Sequence, residues 1–189
     1  SNLLNLPTKL TWLNQVHGNH IIKAGKSEDL EADGIYTDQP GYVCIVMTAD
    51  CIPLLISNKE GNMIAALHVG WRGFCSGIVT KGLNLYNTHP SNICVWIGPH
   101  IRSKNYEVGN DVYQSCIKKC NTLNKVFVRN KNGNWDADLQ AMVYHDLEKK
   151  GIENIFSTNL CTYQEASDFY SYRRDSLTGR MVSMIWINK

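Results

Sequence analysis

Three short segments place polar residues where otherwise apolar runs stop: Gln15-Val16-His17-Gly18, Thr48-Ala49-Asp50-Cys51 and His68-Val69-Gly70-Trp71-Arg72-Gly73. Each reads as a strand end followed by a turn, and such loops are where a rigid scaffold commonly carries function. Together they offer two imidazoles, a thiol, a carboxylate and a guanidinium. His17, Cys51 and His68 have the ligand types of a mononuclear zinc site, in which three protein donors leave the fourth tetrahedral position to water or substrate. A thiolate with two imidazoles also suits copper, so geometry has to decide between metals. Separations of 34 and 17 residues match no zinc-finger spacing, so a half-buried thiol and two hydrogen-bonded histidines stay open as the alternative. Cys51 and His68 also fit the thiolate–imidazole pair of a cysteine hydrolase, with Asp50 as orienting group or simply a turn residue.

Arg72 lies between Gly70 and Gly73, which let the backbone approach a ligand, and its fork could clamp a phosphate or carboxylate. The plainer reading is a surface arginine on a strand-to-helix turn. Arg173 and Arg174 pose the same choice between an anion site and a solvated pair. The polar and aromatic stretch Thr158 to Tyr172 could line a cleft, and Gly98-Pro99-His100 reads as a turn. His20, His89 and His145 read as surface residues.

These groups need elements to hold them. Tyr42 to Met47 and Ile52 to Ile56 are continuous apolar runs bounded by turn signals, the pattern of strands buried on both faces. The turn Ser57 to Asn62 then predicts a hairpin with a strand over Met63 to Val69. Leu10 to Val16, Asn92 to Ile97, Lys125 to Arg129, Ile152 to Ser157 and Met181 to Ile187 also read as strands. Helical spacing predicts one helix over Ser76 to Tyr86 and another carrying Val112, Tyr113, Cys116, Ile117 and Cys120. A third, with Leu139, Met142, Val143 and Leu147, is capped by Asp136 and ended by Gly151. Seven or eight strands with three helices predict an α+β domain of mixed, layered sheets flanked by helices, one domain over residues 1–189.

A chain of 189 residues is long enough to bury a real core without staples, and 43% hydrophobic residues fit a folded protein. A net charge of +2 disfavours a nucleic-acid binder. The longest apolar runs are strand-length, which disfavours a membrane span. Seven cysteines without a CxxC pair, behind a start that lacks signal-peptide zones, predict free thiols in a cytoplasmic protein.

The chain resembles the YfiH family, also called the laccase-domain or polyphenol-oxidase family. The resemblance rests on QVHG (15–18), ADG (32–34), TADCIPLL (48–55), HVGWRG (68–73), IGPHI (97–101), YEVG (106–109), CTY (161–163) and FYSYRRD (169–175) followed by TGRM (178–181). These segments come in the family's order and cover about residues 12 to 187. The resemblance implies zinc on His17, Cys51 and His68. It implies phosphorolysis of adenosine, inosine, guanosine and methylthioadenosine, and deamination of adenosine. Asp50, Cys51 and Arg72 are then the expected catalytic groups. Gln15, Arg72, Arg173 and Arg174 are expected to bind nucleoside and phosphate, in a monomer or homodimer with neither nucleic-acid nor membrane partners. A second implied role is editing of peptidoglycan precursors through Cys51 and His68, and a third reading is a non-catalytic metal-binding module. Family members carry further strands before QVHG, so this chain is expected to lack part of a cleft wall. The laccase name fits poorly: six histidines without a His-x-His pair cannot build a multicopper set, and copper here would be adventitious.

Overall fold

The computed structural model describes residues 6, 9–26 and 28–188. Short strands open the chain: β1 (Lys9–Thr11), β2 (Ile21–Lys23) and β3 (Gly34–Thr37). The two apolar runs form β4 (Tyr42–Thr48) and β5 (Ile52–Asn58), and β6 (Ile64–Val69) follows. Next come α1 (Trp71–Cys75), α2 (Ile78–Leu83), β7 (Ile93–Ile97), β8 (Glu107–Val108) and α3 (Asn110–Lys119). The chain continues with β9 (Phe127–Arg129), β10 (Trp135–Ala137), α4 (Leu139–Lys149), β11 (Asn154–Ser157), α5 (Tyr172–Asp175) and β12 (Met181–Trp186).

Six strands make the central sheet in the order β11-β7-β5-β6-β3-β2. Its outer pairs β2–β3 and β11–β7 are parallel, and the inner pairs are antiparallel. A three-stranded sheet, β1-β4-β12, covers one face of it, and the helices cover the other. The pleat of β6 shows how one strand serves both layers. Ile64 and Ala66 join Val46, Ile35 and Ile22 between the sheets. Ala65, Leu67 and Val69 point to the helices and meet Phe74, Ile78 and Val79. This explains why β4, β5 and β6 read as unbroken apolar runs rather than alternating ones. A third small sheet, β8-β10-β9, packs beside α3.

The mixed layered class and the β5–β6 hairpin are as expected. Asn58 closes that hairpin turn by accepting from the backbone N–H groups of Asn62 and Met63. Four local expectations are corrected. The strand over Leu10 to Val16 stops at Thr11, and the remainder runs irregularly, with Trp12 46% exposed. The helix over Ser76 to Tyr86 shortens to α2, Ile78–Leu83, because Gly77 takes φ +91°, which no helical residue adopts, and so stands as its N-cap. Asp136 lies in β10, and the cap of α4 is Asp138, whose carboxylate accepts from the N–H of Ala141 at 2.9 Å. Among the described residues, twelve strands and five α-helices replace the seven or eight and three expected, because β2, β3, β8 and β10 have two to four residues and are too short to show a period.

Candidate metal centre and its cavity

The two outermost ends of the hairpin and the turn before β2 meet at one rim of the central sheet. His68 is the last but one residue of β6, Cys51 directly precedes β5, and His17 lies in the turn before β2. Two of the three segments carry backbone strain at the meeting point. His17 sits at φ +61° and Asp50 at φ +92°, a region that side-chain-bearing residues avoid and that concentrates at functional sites.

A buried carboxylate holds the His17 turn. Asp33, with no exposed surface, accepts from the backbone N–H groups of Val16 (3.2 Å), His17 (2.9 Å) and Gly18 (2.6 Å). The same carboxylate lies 2.7 Å from Nδ1 of His68. That fixes the ring and leaves Nε2 for the site, the arrangement in which a carboxylate orients a metal-binding histidine. Gln15 anchors the other side of the turn: its amide donates to the Met47 carbonyl at 2.8 Å and accepts from the Met47 N–H at 2.7 Å. Gly70 supplies room. A Cβ there would lie 2.9 Å from the Cys51 sulfur and 3.3 Å from His17 Cδ2.

As a result, one donor atom from each of His17, Cys51 and His68 falls within 4.8 Å of the other two. Metal–nitrogen and metal–sulfur bonds of about 2.0–2.3 Å span such a triangle. No other three-residue cluster of His, Cys, Asp and Glu occurs among the described residues. Burial alone would raise the Cys51 thiol. The imidazoles of His17 and His68 outweigh it and hold the thiol at about 7, so the sulfur is primed as a thiolate. His68 loses to burial but gains more from Asp33 and Cys51, which push it up to about 9. Without metal, this is a proton-sharing cluster whose proton a cation would displace.

The triangle forms the floor of a cavity of about 630 Å³, within the range of small-molecule sites. Its walls carry Trp71, Tyr106, Tyr172 and three arginines, Arg72, Arg173 and Arg180. Arg72 is exposed, its guanidinium 4.5 Å from the Trp71 ring centre and without a hydrogen-bonding partner among the described residues. Arg173 lies 5.5 Å from the Tyr106 ring centre and donates to the Glu107 carbonyl at 2.6 Å. Arg180 donates to the carbonyls of Thr178 and Gly179, both at 2.9 Å.

The other expected site residues do different work. Gln15 and Asp50 line the cavity, but their polar atoms are already engaged. Asp50 accepts from the Thr162 hydroxyl and from the Arg173 N–H, both at 2.7 Å, and so ties α5 and the 161–163 segment to the site. Arg174 is not brought to the cavity. Its guanidinium binds the carbonyls of Thr162, Tyr163 and Phe169 and the carboxylate of Asp175. Of Thr158 to Tyr172, only Tyr172 lines the cavity. His20 and His89 are exposed as expected, but His145 is half-buried, with Nε2 2.8 Å from the Thr122 hydroxyl. Asp33, Arg180, Tyr106 and Trp71 were not singled out from the sequence. All four stand inside quoted segments, ADG, TGRM, YEVG and HVGWRG, which was the available signal.

Fold and site together define a mixed-sheet protein with, among the described residues, one two-histidine, one-cysteine centre in an arginine-lined cavity. The chain belongs to the family described as multi-copper polyphenol oxidoreductase laccase, whose model matches residues 1–188. It is 40% identical over 185 residues to the Escherichia coli (strain K12) protein named purine nucleoside phosphorylase YfiH, covering 97% of this chain and 76% of that one. A Haemophilus influenzae protein named purine nucleoside phosphorylase is 38% identical, covering 96% and 75%. The crystal structure of a Neisseria meningitidis protein superposes with a TM-score of 0.93 at 32% identity, over 100% of this chain and 78% of that one. That of Bacillus licheniformis YfiH gives 0.90 at 28%, over 99% and 78%. Among the described residues no helix is long and apolar enough to cross a membrane.

Proposed function

We propose that this chain is a zinc-dependent purine nucleoside phosphorylase that also deaminates adenosine. The observation that carries the reading is the His17–Cys51–His68 triangle beneath three arginines, in a chain whose curated relatives bear the phosphorylase name. The donor set suits one zinc ion, held by the Cys51 sulfur and the two imidazoles. Copper would take the same three donors. The multicopper chemistry in the family's description does not fit, since the chain has no His-x-His pair and its other four histidines join no second cluster among the described residues. When bound, the zinc supplies a fixed positive charge that polarises oxygen ligands.

The chain's own residues do the rest. Arg72, whose guanidinium makes no hydrogen bond among the described residues, binds the phosphate dianion, with Arg173 and Arg180 also on the walls. Trp71, Tyr106 and Tyr172 give flat surfaces for a purine ring. A phosphate oxygen then bonds to the sugar's anomeric carbon as the carbon–nitrogen bond breaks, and the purine nitrogen takes up a proton. In deamination, water replaces the amino group of the purine, which leaves as ammonia. Asp50 is a positioning residue: its carboxylate holds Arg173 and the loop before it. Gln15 likewise holds the turn that presents His17.

One feature favours a second reading. Cys51, His68 and Asp33 line up as nucleophile, base and orienting group of a cysteine hydrolase, which would serve cell-wall precursor editing. The metal reading is preferred because His17 brings a third ligand atom to the Cys51 sulfur and His68, which a hydrolase does not need. Zinc-loaded protein should resist iodoacetamide at Cys51, and rapid labelling there would favour the hydrolase. Arg72→Ala should raise KM for phosphate about 10–100-fold, the worth of a charged hydrogen bond, and Arg72→Lys should recover only part. An unchanged phosphate dependence removes Arg72 from the site.

A further inference from the structure

Away from the cavity, the helical layer holds a pair of thiols that the proposed function leaves unused. Cys75 ends α1 and Cys116 lies on α3, with their Sγ atoms 3.1 Å apart. A disulfide sulfur pair sits at about 2.05 Å, so about 1 Å of approach separates these thiols from a bond. The two are not equivalent. Cys116 is fully buried, whereas Cys75 is half-buried and meets an oxidant first.

Their surroundings sharpen the difference. Lys119 donates to the Phe74 carbonyl and to the Asp146 carboxylate, both at 2.9 Å, which places its charge beside Cys75. The hydrogen bond from Cys116 and then the Lys119 charge, against burial, hold the Cys75 thiol below its ordinary value. The bond to Cys75, with burial, holds Cys116 above its own. This gives an attacking thiolate beside a thiol that keeps its proton. No other two sulfurs are in contact among the described residues. Cys44 and Cys161 are buried singly, Cys51 belongs to the metal centre, and Cys94 and Cys120 stand apart.

We propose that Cys75 and Cys116 form a modification site for peroxide, an oxidisable dithiol that closes to a disulfide. The Cys75 thiolate attacks one peroxide oxygen and the O–O bond breaks. A sulfenic acid forms on Cys75, and the departing hydroxide takes a proton to become water. The Cys116 sulfur then attacks the Cys75 sulfur. The S–S bond forms, the S–O bond breaks, and the hydroxyl leaves with the Cys116 proton as a second water. Two thiols and one hydrogen peroxide become one disulfide and two waters. The bond ties α1 to α3, and the first two residues of that five-residue helix are Trp71 and Arg72 of the cavity wall. Oxidation therefore acts on the wall that faces the metal centre without touching its ligands.

The test uses zinc-loaded protein treated with one equivalent of hydrogen peroxide, followed by thiol titration and non-reducing peptide mapping. Two of the seven thiols should disappear, and a Cys75–Cys116 linked peptide should appear that a dithiol reductant reverses. Cys75→Ser and Cys116→Ser should each give no linked peptide, while Cys120→Ser should cross-link like the parent. The map of the parent decides the connectivity even where a variant fails to fold. The proposal is overturned if Cys75 is found linked to another cysteine, or carries oxygen without a cross-link. It is equally overturned if the pair stays reduced while another cysteine is oxidised.

Discussion

Asp33 ties together His17 and His68, which lie 51 positions apart in the chain. It holds the turn of His17 through three backbone N–H groups and the ring of His68 through Nδ1. Replacing it by Asn keeps the size and removes the charge. Asp33→Asn should weaken zinc binding about 10–100-fold, as loss of such an orienting carboxylate does, measured by competition with a chromophoric chelator. Gly70 acts by what it lacks. Its φ of −88° is open to any residue, so the demand is steric. Gly70→Ala should push its methyl group against the Cys51 sulfur and lower zinc affinity at least about tenfold with the fold kept, as overpacking against a fixed neighbour does. Unchanged affinity would mean that Cys51 is free to move aside.

At the scale of elements, the site depends on segments that carry no ligand. Asp50 joins the turn before β5 to α5 and the 161–163 segment, and the Thr162 hydroxyl is one half of that link. Asp50→Asn and Thr162→Val should act alike. Each should cost about 1–3 kcal/mol of stability, as an unmet buried hydrogen bond does, and raise KM more than it lowers kcat, with zinc retained. A fall in kcat in Asp50→Asn alone would make Asp50 a proton carrier instead. The same elements show what was legible in advance. The hairpin of β5 and β6 was readable because both strands are buried on both faces and so are apolar throughout. The two ligands at its end were readable because polar residues there interrupt that run. The true start of α2 was hidden, since Gly77 fits a helical pattern until its φ is known. Asp33 was hidden because a carboxylate beside a glycine reads as a turn, and its partners at positions 16–18 and 68 come together only in the fold.

At the scale of the molecule, one histidine ties stability to pH. His100 is 1% exposed, with Nδ1 2.8 Å from the Gly98 carbonyl and Nε2 without a partner. Burial, opposed by that carbonyl, drives its pKa down to about 4 from an ordinary 6.5. The folded state thus resists a proton that the unfolded chain accepts. The contribution is complete above pH 6.5 and lost as pH falls towards 4, about 3 kcal/mol in all by linkage. Denaturant titrations should show that fall, and His100→Gln should remove that part of it; equal slopes in both proteins would clear His100. The central claim joins one zinc ion on three side chains to a phosphate-dependent reaction in the cavity above. It is tested most directly by chromatography of adenosine incubated with phosphate and protein that has been stripped by chelator, then restored with one equivalent of zinc. Free adenine and ribose 1-phosphate should appear with the restored protein, and neither with the stripped protein nor with Cys51→Ala given the same zinc. The same products at the same rate from verified metal-free protein would contradict it.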